Sequence, residues 1–379
     1  MFMTIIKNCN INNEVKDILI INNKVVKIGK IKLDDVKNIF EDIYVIDGKG
    51  KFAISSYIDN HVHIIGGGGE MGYSSRIPEI KLQNIVLNGV TTLVGVLGTD
   101  SISKKMSNLV AKTKALNNDG LSCYCLTGAY EFPSPTLTGR IQDDIYFINE
   151  IIGLKCAISD NSCYNPSKED LIKAISELRV AMLASGKGGG CNIHCGWGKG
   201  NLNVILEILN ETNIPASIIR PTHITNNENV FIQAFSLAKK NAYVDITASE
   251  DYEKVSYYIN KIKDAGLYNQ VTLSSDANGS CPVWKDNKCV DIKASSMSVL
   301  HETVLYLVKK CNYSLNDAIK ILTINPANAL NLHNKGYLSE GNDADLILLD
   351  SEYNINDVIS NGQLMVSDKK VLKKGYYSI

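Results

Sequence analysis

The chain has 379 residues, 45% hydrophobic and 21% charged, enough for one large domain or a large domain with a small companion. A formal net charge of −1 offers no basic field, so neither nucleic acid nor an anionic membrane is expected as a partner. The longest apolar run, residues 85–98, is too short and too polar to span a bilayer, and the opening MFMTIIKNCNINN lacks a secretory pattern, so a cytoplasmic protein is expected.

The first 54 residues alternate short apolar runs with polar turns, as in TIIKNCNI, DILIINNKVVKIG and IYVIDGKG. Residues 332–379 have the same character, with GYLSEGNDADLILLD and GQLMVSDKKVLKKG. Turn signals at this spacing predict strands at both ends, joined into one small β-sandwich domain. Between them, residues 55–331 carry eight strand-like runs: YIDNHVHI, VTTLVGVLG, SCYCLTGAY, LKCAIS, CNIHCG, ASIIRPTH, AYVDITA and VTLSSD. Helical spacing separates them, in KKMSNLVAKTKALNN, PSKEDLIKAISELRVAMLAS (with Ser167 as its cap), NVFIQAFSLAKK and SVLHETVLYLVKK. The alternation predicts an α/β chain with a (β/α)8 TIM-type barrel. A doubly wound sheet, which alternates in the same way, is the alternative.

Reactive groups in such a barrel sit at the C-terminal ends of its strands. The first run leads into DNHVHIIGGGGEMG, where His61 and His63, two apart on an extended segment, project to one side. His194 closes the fifth run, His223 the sixth and Asp276 the eighth. Each alone reads most simply as a structural residue. Four of six histidines at strand ends, with an aspartate, form a donor set that suits zinc. His301, on a predicted helix, and His333, in a loop, read as surface residues. Lys155 closes the fourth run, and by itself it reads as a salt-bridged or snorkelling lysine. An ammonium cannot ligate a cation, so it fits a metal site only as a carbamate formed with CO2.

The four glycines before Glu70 admit a phosphate cradle or a loop that brings backbone close to a small substrate. No Gly-Lys-Ser/Thr follows, and the charge of Glu70 opposes a phosphate. Ten cysteines at irregular spacing read as reduced thiols, with Cys191 and Cys195 flanking His194 as small core residues.

The segments IDNHVHIIGGGGE, LGTDSIS, TGAY, GLKCAISD, PTHIT, SSDANGS and EGNDADLILL together resemble the amidohydrolase superfamily with a binuclear metal centre. Within it they are most similar to the isoaspartyl (β-aspartyl) dipeptidases, over nearly the whole chain. Ser55-Ser56 stand where Pro-Gly is usual. The resemblance implies two Zn2+ per subunit: one on His61, His63 and Asp276, the other on His194 and His223. Carboxylated Lys155 and a hydroxide would bridge them. The implied reaction is hydrolysis of the isopeptide bond of small β-aspartyl dipeptides, with Asp276 carrying the proton and Tyr130 polarising the carbonyl. Glu70 would pair with the substrate α-amine, and Gly68, Thr99 and Ser280 would touch the substrate. A homo-oligomer is implied, with an octamer as the expected form.

Two arginines that grip substrate carboxylates in that branch are replaced here by Ser162 and Asn226, and Arg140 is nominated as the substitute cation. The alternative is a related amidohydrolase acting on another small amide, an N-acyl amino acid or a cyclic amide. A non-catalytic scaffold on the same barrel predicts missing ligands, whereas all six positions are filled.

Overall fold

The structure is a computed structural model describing residues 3–37, 43–285 and 288–375. All eight predicted central runs form strands: β1 (Tyr57–Val62), β2 (Val90–Gly95), β3 (Ser122–Gly128), β4 (Ile151–Ile158), β5 (Cys191–Cys195), β6 (Ile219–Thr222), β7 (Val244–Thr247) and β8 (Val271–Ser274). β1 to β6 form one parallel sheet in chain order, and β7 pairs parallel with β8. The ring closes where Thr222 reaches Asp245 across β6 and β7 and where Val62 bridges Ala277 beyond β8. This closure separates a barrel from the doubly wound alternative.

Side-chain alternation sorts the strands into two layers. Leu93, Cys123, Cys125, Leu154, Cys191, Ile193 and Leu273 pack into the large core shared with helix residues such as Leu109, Ile175, Leu178 and Ile205. Each fully buried Leu or Ile contributes about 2 kcal/mol before chain entropy is set against it. Val94 and Leu126 alternate with those outward positions and join Ile58 and Ile152 in a separate cluster. The helix Lys168–Ser185 is bounded as its sequence predicts. Ser167 and Asp170 exchange bonds at its start, and Gly186, at φ 73°, ends it. Nine described cysteines are free thiols, and Cys191 and Cys195 are buried beside His194. No helix among the described residues is long and apolar enough to cross a membrane.

The two chain ends meet in a nine-stranded sheet, joined where Phe52–Ser55 pairs antiparallel with Leu346–Leu349. Ile6, Cys9, Ile18, Ile20, Leu346, Leu348 and Ile359 fill its core. Two features depart from expectation. A hairpin of Ser280–Lys285 and Lys288–Ala294 follows β8. His301 is not at the surface: it is 7% exposed, with Nδ1 2.8 Å from the Tyr57 hydroxyl and Nε2 3.0 Å from the Tyr353 carbonyl. Its helix packs that face inward, because Leu300, Val304 and Leu307 share it.

Candidate metal centre

The β1 run places His61 on the strand and His63 one residue past its end, where His63 N donates to Ala277 O (3.0 Å). His223 follows β6 and Asp276 lies just beyond β8. Both have left-handed backbone, φ 61° and 51°, which L-residues other than Asn and Asp rarely adopt. The turn swings each side chain over the barrel mouth. His61, His223 and Asp276 offer ligand atoms within 4.8 Å of one another. Nε2 of His63 and of His61 lie 3.1 and 3.5 Å from Asp276 Oδ1. The His194 ring stands 4.6 Å from that of His223. The four histidines and Asp276 therefore converge, although they come from four strands.

Electrostatics put these groups in ligand form. Burial pushes His61 well below the usual imidazole range and His223 down to about 3. Burial also lowers His194, against the pull of Asp160. All three imidazoles are neutral at pH 7, the protonation state that can ligate a cation. Burial acts to raise Asp276, but the adjacent His63, His223 and Lys155 hold it below the ordinary carboxylate value. Neutral imidazoles around an ionised carboxylate fit a divalent metal.

Lys155, fully buried on β4, has Nζ 3.5 Å from His61 Nε2 and 2.9 Å from the Asn192 Oδ1 that accepts from it. Burial pushes its ammonium down to about 7, with Arg220 adding to the fall and Asp276 opposing it. No carboxylate among the described residues lies within ion-pair distance of it.

A further shell orients the imidazoles, and its members Asp160 and Thr247 were not anticipated from the sequence. Asp160 Oδ2 accepts from His194 Nε2 (2.9 Å), and Asp160 Oδ1 accepts from Ser162 N (2.8 Å) and Oγ (2.5 Å). Burial would raise Asp160, yet the His194 and Ser162 bonds outweigh it and hold the carboxylate ionised. Tyr130 Oη is 2.6 Å from His194 Nδ1, and Thr247 Oγ1 is 2.7 Å from His223 Nδ1. Burial, then the charges of Asp276, Asp160 and Glu70, raise Tyr130 far above the ordinary phenol, so it stays a donor. Asp160 sits five residues past Lys155 in an otherwise ordinary polar turn. A strand-end carboxylate facing the next strand's histidine is the signal that was available.

The glycine loop is built for close approach. A Cβ on Gly66 would stand 2.0 Å from Ile77 O and one on Gly68 2.3 Å from Ser75 O, and both have φ near 80°. The buried Lys104 ammonium donates to Gly66 O, Gly67 O and Ile77 O (2.6, 3.0 and 2.9 Å) and holds the loop from behind. Glu70 emerges exposed at the loop's end, and Ser280 Oγ donates to its Oε1 (2.8 Å). Thr99 is half-buried beyond β2, its carbonyl accepting from Ser101 N.

Arg140 does not join this group. It stands at the N-cap position of the helix Ile141–Phe147 with its side chain 65% exposed, drawn to the carboxylate of Asp143 at 3.6 Å in that helix's acidic first turn. Ser162 serves Asp160, and Asn226 Nδ2 donates to Cys195 O (3.1 Å). Neither position offers a cation.

The amidohydrolase family model matches residues 157–366. The crystal structure of β-aspartyl dipeptidase from Fervidobacterium islandicum with β-Asp-Leu dipeptide superposes at TM-score 0.92 and 34% identity, covering 99% of this chain and 100% of that one. Dihydropyrimidinase from Brevibacillus agri superposes at TM-score 0.68 and 16% identity over 99% and 97% of the two chains, a likeness of fold alone. Among sequence relatives, the 5'-deoxyadenosine deaminase of Methanocaldococcus jannaschii is 26% identical, over 98% of this chain and 95% of its own. The adenine deaminase of Clostridium perfringens is 24% identical, and the chain spans 60% of its length.

Proposed function

The chain belongs to the amidohydrolase family, and from that premise we propose that it hydrolyses a small amide bearing a free amino group, a β-aspartyl dipeptide first of all. The carrying observation is the convergence of His61, His63, His223 and Asp276 over the barrel mouth, with Lys155 and His194 beside them. These six residues would hold two divalent cations, Lys155 as its carbamate. When bound, such ions lower the pKa of water and polarise a carbonyl. The chain's own groups supply the rest. Asp276, ionised at neutral pH, accepts a proton from the attacking water and delivers it to the leaving amine. Tyr130, held protonated, donates to the oxygen that gains charge. Glu70, steered by Ser280, pairs with the substrate ammonium at the end of the glycine loop.

The neutral, already engaged Ser162 and Asn226 favour a second reading, an amide with fewer carboxylates than a β-aspartyl dipeptide. Each charge-assisted contact that they cannot make is worth about 1.5–3 kcal/mol. One preparation separates the readings. About two zinc ions per chain, loss of activity on chelation and turnover of β-aspartyl-leucine are expected. Full metal with turnover only of N-acyl or cyclic amides would support the second reading, and a metal-free, inert protein would remove both. Glu70→Gln should lower kcat/KM about tenfold or more for amine-bearing substrates and leave substrates without the amine unchanged.

A further inference from the structure

Three neighbouring strands carry polar residues in one row. Lys155 on β4 is in register with Asn192 on β5, and Asn192 with Arg220 on β6. Residues paired in register point to the same face, and the Lys155–Asn192 bond shows that this is the barrel face beneath the histidines. All three are buried, Arg220 at 2% exposure. Yet Nε, Nη1 and Nη2 of Arg220 and Nδ2 of Asn192 have no hydrogen-bond partner. Asp245, the acid whose charge bears on Arg220, is occupied elsewhere: Thr272 donates to its Oδ1, and Thr222 and Ser274 donate to its Oδ2, all at 2.6–2.7 Å. Asp245 still supplies a charge near Arg220, but buried guanidinium N–H groups left without an acceptor are strongly unfavourable, so their retention asks for an acceptor.

We propose that Arg220 is a positioning residue for the modification of Lys155, its cation favouring the carboxylated side chain over the free one with Asn192 as the relay between them. This rests on the carbamate reading above. In that step the lone pair of neutral Nζ bonds to the carbon of CO2. One C–O π pair moves onto oxygen, and an N–H proton leaves to solvent, giving –NH–COO−. With an ammonium at position 155, the row holds two like charges in a dry interior. With a carbamate it holds an opposed pair, which salt screens little. Asn192 already accepts from Nζ through Oδ1, and its unpartnered Nδ2 is the donor left for the new carboxylate.

The test loads metal-stripped protein with zinc over a bicarbonate series, using 13C-bicarbonate. It reads the carbamate carbon by NMR and the zinc bound per chain. Arg220→Met should need at least tenfold more bicarbonate for half-maximal carboxylation, and Arg220→Lys, which keeps the charge, should recover most of the difference. Should Arg220→Met not fold, Arg220→Gln takes its place. Carboxylation of the uncharged variant at the wild-type bicarbonate concentration overturns the proposal, as does a Lys variant as impaired as the uncharged one. Absence of the carbamate signal in wild-type protein instead removes the carbamate reading itself, and that is visible without any substitution.

Discussion

Two buried lysines, Lys335 and Lys155, show how this molecule separates structure from chemistry. Lys335, 6% exposed where the barrel meets the terminal sheet, has Asp345 at 2.5 Å and Asp343 at 2.9 Å. Burial would lower its pKa, but the two carboxylates raise it above the ordinary value. Lys155, fully buried at the barrel mouth, has an amide oxygen and a histidine nitrogen, and burial pushes it down to about 7. One lysine is furnished with its counter-charges. The other is held with little to keep it protonated, the state in which an amine reacts with CO2.

Parallel substitutions of the two should move different properties. Lys155→Met is expected to lower activity about a thousandfold or more, as loss of an essential charged group does. Urea unfolding of its metal-free form should show unchanged or increased stability, because a buried amine with no counter-charge is removed. Short carboxylic acids should partly restore Lys155→Ala. Lys335→Met strands Asp345 and Asp343, each keeping only part of its remaining support from Asn361 N and Lys24. It should cost about 3 kcal/mol of stability with kcat/KM retained in the folded fraction. If the two variants lose stability equally, the contrast between the sites is wrong.

Asp160 sharpens the same contrast at the edge of the centre. It is a fully supported carboxylate whose support ends on a candidate ligand, His194. Asp160→Asn keeps the shape but removes the charge that fixes the imidazole. Zinc affinity at the position served by His194 and His223 should fall about 10–100-fold, read by competition with a chromophoric chelator. Unchanged affinity would make Asp160 a loop brace alone.

What the sequence disclosed divides along the same line as strands and loops. His61, His194, His223 and Asp276 were legible because a strand end fixes position: count the runs, and the residue closing each one points at the mouth. Lys155 was legible as a place, although its state was not. The loops gave less. Arg140 was nominated by proximity in sequence, but local attraction to Asp143 at a helix start decides where its guanidinium goes. Asp160, Thr247 and Lys104 act across tens of residues, through contacts that no periodicity encodes. His301 was misread because an amphipathic helix shows which face is apolar, but not that a polar ring on that face will find Tyr57 and a carbonyl.

His301 tests the rule that a buried group with its partners serves structure. Its neutral ring bridges Tyr57 of β1 and the backbone of Tyr353, one nitrogen donating to the carbonyl and the other accepting from the phenol. Burial pushes its pKa down to about 4, against about 6.5 for the free side chain. Below pH 6.5 the unfolded chain binds a proton that the folded chain refuses until about pH 4. Stability that is fully present above 6.5 is therefore lost as pH falls through that window, by up to about 3 kcal/mol. His301→Gln cannot take up the proton, so its urea midpoint should fall less between pH 7 and pH 4.5 than that of the wild type, whatever its starting stability. The metal-site histidines are common to both proteins and cancel in the difference. Parallel loss of stability in the two would mean that His301 is solvated and that the bridge does not form.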